Sequence, residues 1–309
     1  CRLSQLAKDT LFNPEITEFL DSYDGRNREP VTLPSKLPVL LAMGAEGIAV
    51  GMATKVLPHN FIELLEAEIA CLQGEQHLLY PDFPGGGLAD VSEYNDGNGK
   101  ILVRAKLDLS DPKRIVIREL PFGSTTESLI NSIESAAKKG KLKISGISDY
   151  TAENVEVEIR LARGVHAEET VDALYAFTEC ESSISVNLMV IKDDKPVSMT
   201  VSEVIAYNAN QLVDILTAEL KLEEKHLKDK LHAKTLEQIF IENRVYKRIE
   251  QETTADAVVK AVIKGLLPFA DQIRREVTLE DVEVLLKIPI RRISAYDINR
   301  AKKEMQEIM

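Results

Sequence analysis

Apolar residues recur along this chain with more than one period, and each change of period marks a change of element. Leu3, Leu6, Ala7 and Leu11 step at helical spacing with no capping residue ahead of them, which predicts a helix over 2–11. A second helix is expected over 15–22, with Asn13 and Pro14 as its cap and first-turn pair. YDGRNREP (Tyr23 to Pro30) reads as turn and loop, and Pro38 suits the first position of a short helix ending at Met43. Ile48 to Ala53 is expected to be extended or irregular. Asn60 then caps a helix to about Gln73, with Ile62, Leu65, Ile69 and Leu72 on one face. YPDFPGGG (Tyr80 to Gly87) is a rigid loop.

From Leu88 the period becomes two. Ile101 to Leu107 and Ile115 to Leu120 are expected as strands, the second stopped by Pro121. A helix follows from Thr126 to Lys138, a strand from Val155 to Leu161, a helix from Glu168 to Thr178 and a strand from Ser183 to Ile191. The succession predicts an α+β fold with a mostly antiparallel sheet. The lysines at 138, 139, 141 and 143 read as a solvated face.

After Pro196 the pattern changes again. Val201, Ile205, Leu212, Ile215, Leu216, Leu220, Leu227 and Leu231 form a narrow apolar stripe in a heavily charged background. They predict one helix of roughly 30 residues, about 45 Å long, which needs a partner to be stable. Ile298, Ala301, Met305 and Ile308 supply a candidate returning helix. Between the two, TLEQIFIENRVYKRI, ADAVVKAVIKGLLPFA and TLEDVEVLLK read as three short helices forming a small globule. The expected domains are 1–196, an outgoing coiled-coil helix at 197–234, the globule at 235–288 and a returning helix at 289–309. The chain starts at Cys1 rather than Met, and both ends fall inside helical patterns; it reads as a fragment.

Composition removes several function classes. The 309 residues carry a net charge of −12, so any nucleic-acid contact has to be local. Trp is absent and aromatic residues are few, which argues against base-stacking platforms. Cys1, Cys71 and Cys180 are odd in number and widely spaced, the usage of a reducing, cytoplasmic compartment. No apolar run reaches membrane-spanning length. The histidines at 59, 77, 166, 226 and 232 lack metal-ligand spacing, and no dinucleotide, phosphate-loop or nucleophile-elbow pattern is present. Nothing supports an autonomous active site.

One stretch stands apart, PSKLPVLLAMGAEGIAVGMATKVLPHN from Pro34 to Asn60, with glycines at 44, 47 and 51 in apolar surroundings. Such glycines mark tight turns or close backbone approach. From Gly25 to Asn60 four basic residues (Arg26, Arg28, Lys36, Lys55) face two acidic ones, whereas the first 24 residues carry two basic and five acidic. The residues alone leave two readings open: a buried core loop, or a basic contact for phosphate or nucleic acid.

This stretch, with YDGRNREPVTLPS before it, YPDFPGGG after it and RELPF at Arg118 to Phe122, resembles the A subunit of bacterial type IIA DNA topoisomerases, the gyrase and topoisomerase IV family. GIAVGMAT followed by PHN is the specific part, and the resemblance covers essentially the whole chain. It implies a tower domain carrying a DNA-bending loop, then a coiled-coil arm ending in a helical dimerisation globule. It further implies a homodimer through 235–288, an assembly of two A and two B subunits, double-stranded DNA as substrate and a chromosome-associated location. Mg²⁺ and ATP are expected on the B subunit, with neither bound by this chain. The family's nucleophilic tyrosine is expected upstream of Cys1, since Tyr23, Tyr80, Tyr94, Tyr150, Tyr175, Tyr207, Tyr246 and Tyr296 do not match its motif. Carried over from the family, Ile48 is the residue that wedges between base pairs. Gly47 and Gly51 are expected to let the backbone approach the minor groove, and Lys36 and Lys55 to contact phosphates. Thr54, His59 and Asn60 complete the expected DNA-binding set. The rival reading is a non-catalytic, DNA-bending coiled-coil scaffold.

Overall fold

A computed structural model describes residues 2–192, 194–250 and 252–289. Two compact units are present, Cys1–Ile215 and Leu216–Met309.

In the first unit α1 (Gln5–Leu11) is capped by the Ser4 side chain, which accepts from the Ala7 amide; the cap sits inside the segment expected to be helical, not ahead of it. The helix expected over 15–22 does not form. Phe19–Asp21 is instead strand β1, paired antiparallel with β2 (Arg28–Pro30), and the Arg28 guanidinium donates to the Phe19 carbonyl at 2.9 Å. Asn13 closes a local turn with the Glu15 amide in place of capping a helix. After α2 (Val39–Met43) come β3 (Ala45–Ala49) and β4 (Met52–Val56), and then α3 (Phe61–Gln73), whose Asn60 cap accepts from the Ile62 and Glu63 amides.

The buried face of α3 is not the one the spacing suggested. Leu64, Ala67 and Glu68 point into the core, while Ile62, Ile69 and Leu72 are exposed. Two stripes on this helix satisfy the 3.6 period, and packing chose the one containing a carboxylate. Glu68 Oε1 has no hydrogen-bond partner among the described residues, and burial pushes its carboxyl from an ordinary 4.5 to about 7. A raised acid pKa means that the folded state holds the proton more tightly. Stability is therefore undiminished below about pH 4.5 and falls as pH rises through about 7. Glu68→Gln is expected to raise the melting temperature by about 5 °C at pH 8 and hardly at all at pH 4, measured by thermal unfolding at both pH values.

The remaining strands are β5 (Leu88–Asp90), β6 (Lys100–Arg104), β7 (Lys106–Asp108) and β8 (Arg114–Glu119). Helix α4 (Thr126–Lys138) precedes β9 (Ile144–Asp149) and β10 (Val157–Leu161), and α5 (Ala167–Phe177) precedes β11 (Glu181–Ser185), β12 (Met189–Lys192) and β13 (Lys195–Ser198). A four-stranded antiparallel sheet in the order β7-β8-β10-β9 packs against α4 and α5 around Ile115, Ile117, Leu129, Ile133, Ile159 and Leu174. A three-stranded sheet runs β11-β6-β5. Mixed helix and antiparallel sheet is thus the architecture, as the change of period predicts. Strand β9 is hidden in the sequence because Gly146 and the adjoining lysines mask its alternation. The single strand expected over Ser183–Ile191 is two, β11 pairing with β6 and β12 with β13, with Val186 to Leu188 between them.

Helix α6 (Val201–Glu242) starts with a reciprocal cap, the Thr200 hydroxyl accepting from the Glu203 amide and the Glu203 carboxylate from the Thr200 amide. It runs 42 residues, longer than the stripe ending at Leu231 suggested. No Gly or Pro interrupts the chain before Glu242, so the segment read as the globule's first helix divides between the end of α6 and a separate 3-10 turn at Val245–Ile249. In the second unit that end buries Leu236, Ile239, Phe240 and Ile241 against Val262 and Leu266 of α7 (Ala255–Leu266) and Val282 and Leu285 of α8 (Leu279–Leu286). The expected returning helix lies outside the described residues.

Candidate nucleic-acid interface

Strands β3 and β4 form a hairpin whose register pairs Ala45 with Val56, Glu46 with Lys55, Gly47 with Thr54, Ile48 with Ala53 and Ala49 with Met52. Val50 and Gly51 make the two-residue turn, and Gly51 has φ +77°, a conformation that L side chains disfavour. Gly44, where α2 hands over to β3, has φ +69°, and a Cβ there would lie 2.7 Å from the Val56 carbonyl oxygen. Its hydrogen alone fits. At Gly47 an added Cβ would meet only Thr54 Cγ2 at 3.8 Å, so neither the turn nor the packing requires glycine.

The base of this hairpin is fixed and its tip is free. Val56 and Leu57 are buried with Leu41, Leu64, Ile101 and Leu188. Asn187 runs beside β4: its backbone exchanges hydrogen bonds with Lys55 at 2.8 and 3.2 Å, and its side-chain amide donates to the Ala53 carbonyl at 2.7 Å. Thr54 Oγ1 donates to the Asn187 carbonyl and accepts from the Met189 amide. Sequence reasoning missed Asn187. Its only signal was an isolated Asn inside an apolar run, SISVNLMV. At the other end Ile48 is 91% and Val50 100% exposed. Apolar side chains held in water at the tip of an anchored ladder are positioned for a contact outside the chain.

The expected DNA-binding residues therefore separate. Ile48, Gly47, Gly51, Thr54 and Lys55 share the hairpin, with Ile48 and Lys55 on the same face because they pair with Ala53 and Glu46 across the ladder. Thr54 has its hydroxyl engaged by the neighbouring segment. The Lys55 ammonium stands 3.1 Å from the Glu46 carboxylate, so the two largely cancel. Lys36 donates to the Asp9 carbonyl at 3.3 Å. His59 is in the core rather than at the surface: Nε2 lies 3.0 Å from the Tyr94 hydroxyl and Nδ1 3.3 Å from the Leu41 carbonyl. Burial lowers the His59 pKa despite those partners, so the imidazole is held neutral. Asn60 caps α3 and donates to Asp82 at 3.0 Å. Among the described residues no group of three or more His, Cys, Asp or Glu side chains is placed to hold a metal ion, and no helix is long and apolar enough to cross a membrane.

The model of the DNA gyrase/topoisomerase IV A-subunit family matches residues 1–309. The chain belongs to that family. It is 51% identical over 306 residues to the DNA topoisomerase 4 A subunit of Borreliella burgdorferi, covering 99% of this chain and 49% of the relative. It is 29% identical over 334 residues to the DNA gyrase A subunit of Lawsonia intracellularis, covering 99% of this chain and 39% of the relative. A further 29% identity over 338 residues relates it to the DNA gyrase A subunit of Mycobacterium bovis, with 99% and 39% covered. This member of the gyrase/topoisomerase IV family thus spans half or less of the length of these curated relatives.

Proposed function

We propose that this chain is the DNA-bending and dimerising part of the A subunit of an ATP-dependent type II DNA topoisomerase, an isomerase that cuts one duplex, passes another through and reseals the first. The observation that carries the reading is the β3–β4 hairpin, anchored by Asn187 and presenting Ile48 and Val50 to water, in a chain of the gyrase/topoisomerase IV A-subunit family. A β-branched apolar tip unstacks a base step, and the kink brings more of the duplex against the protein. Lys55 adds salt-dependent attraction to the phosphates when it exchanges Glu46 for a phosphate oxygen, and Lys36 adds to it more remotely.

In the reaction a tyrosine oxygen attacks phosphorus, a phosphotyrosyl bond forms as the deoxyribose oxygen leaves, and the reverse step restores the strand. That tyrosine is assigned to another part of the A subunit, since none of the eight tyrosines here carries the family motif. Mg²⁺, which would stabilise the charge developing on the phosphate, and ATP are assigned to the B subunit on the resemblance to the A-subunit family. Residues 1–196 act as the tower, 197–234 and 289–309 as the arm, and 235–288 as a symmetric gate between two A subunits in a chromosome-associated assembly of two A and two B chains. The 309-residue chain is expected to be a dimer at micromolar concentration by light scattering and to cleave no DNA by itself; a monomer would overturn the gate. Fluorescence transfer across a labelled duplex bound to the complete A and B assembly tests the bend, and a straight duplex would overturn the wedge.

A further inference from the structure

In the second unit, an open cleft of about 650 Å³ is lined by Lys221, Lys225, Lys228, Arg274 and Arg275, with Glu224, Asp229 and His232. Five fixed positive charges face two negative ones, in a chain whose net charge is −12. The two carboxylates are already used: Glu224 lies 2.7 Å from Lys228, and Asp229 lies 3.5 Å from Arg275. Arg275 is in addition held by both oxygens of Asp281 at 2.8 and 3.1 Å, so its position is fixed from below. Lys221, Lys225 and Arg274 are left with no ion pair among the described residues.

Lys221 and Lys225 stand one turn apart on α6, and the acids one turn on from each, Glu224 and Asp229, are paired with Lys228 and Arg275. Beside them His232 is 1% exposed, with Nε2 3.4 Å from Asp281 and Nδ1 without a hydrogen-bond partner among the described residues. Three cations lining one cleft with no ion pair among the described residues are neutralised together by a ligand carrying several negative oxygens. Lysine supplies point charges and arginine a planar fork, a combination suited to phosphate groups.

We propose that this cleft binds a phosphate-rich polyanion, either the phosphodiester backbone of DNA or a soluble polyphosphate. The site is separate from the hairpin and uses none of its residues, so it stands whether or not Ile48 acts as a wedge.

Lysine acylation of the 309-residue chain, read by mass spectrometry with and without a 20-base-pair duplex or inorganic polyphosphate, tests it on the unaltered protein. Lys221 and Lys225 are expected to lose reactivity at least threefold while Lys247 and Lys260 do not. Protection by both probes assigns the cleft to nucleic acid, and protection by polyphosphate alone assigns it to a soluble polyanion. Unchanged reactivity with both probes overturns the proposal. Lys55 in the same experiment reports the hairpin independently, which separates failure of the wedge from failure of the cleft. In the triple variant Lys221→Gln/Lys225→Gln/Arg274→Gln, the slope of log affinity for the protecting probe against log salt is expected to fall by about three for DNA. Affinity for that probe should fall at least tenfold, and unchanged affinity in a variant with native circular dichroism would again overturn the site.

Discussion

Ile48→Ala in the complete A subunit, paired with its B subunit, is expected to leave the protein as stable as before and to depopulate the bent DNA complex roughly fifty-fold. The two halves of this expectation come from one observation. Ile48 is 91% exposed, so truncating it removes almost no contact within the chain, and the register from Ala45–Val56 to Ala49–Met52 is held by backbone pairing and the Asn187 anchor, neither of which uses its side chain. Inserted in a base step, the same side chain would be buried, and three lost carbons at about 0.8 kcal/mol each remove about 2.4 kcal/mol of the energy that offsets unstacking. Supercoil relaxation should fall with the bend. Ile48→Leu, which keeps the volume, should retain most of both. Fluorescence transfer between the duplex ends measures the bend directly, and a wild-type angle in Ile48→Ala would remove the role assigned to this residue. Loss of bending accompanied by a lowered melting temperature would instead assign Ile48 to packing.

A large loss of stability is expected from Gly44→Ala. Its φ of +69° costs an L residue about 1 kcal/mol or more, and the new methyl would sit 2.7 Å from the Val56 carbonyl oxygen and 3.0 Å from the Pro58 nitrogen. Both obstacles are backbone, and they belong to the buried base of the hairpin, so neither moves aside cheaply. A loss of about 3 kcal/mol follows, a fall of roughly 10 °C in melting temperature for a unit of this size. Gly47→Ala is the control: with ordinary contact at 3.8 Å to Thr54 Cγ2 it should change stability by no more than about 0.5 kcal/mol. Equal melting temperatures for the two variants would show that the junction at Gly44 is not rigid. Together the pair separates a glycine required by the fold from one free to serve the surface.

The parts of the chain that were legible in sequence are those specified by neighbours a few residues apart. Asn60 and α3, Pro38 and α2, and the alternation of β8 and β10 all follow from local pattern, since a cap or a period is written within one or two turns of chain. The hairpin was visible as an extended segment with glycines, and membership of the gyrase/topoisomerase IV A-subunit family was legible in GIAVGMAT and PHN.

Choices between locally equivalent options were decided only by tertiary structure. Two stripes on α3 have helical spacing, and the core beneath the hairpin took the one with Leu64 and Glu68 because it is the stripe that faces Leu41 and Leu57. Residues 19–21 follow a plausible helix start, but pairing with Arg28–Pro30 satisfies their backbone and makes them a strand. His59 and Asn60 are adjacent to the hairpin in sequence, yet one is drawn into the core beside Tyr94 and the other spent on capping α3, so proximity along the chain did not make them surface residues. Asn187, 131 residues from Val56, became the hairpin's anchor through bonds no local pattern encodes. Short-range hydrogen bonding and periodicity determined which elements form; long-range burial decided which face of each element is hidden, and left Ile48 in water.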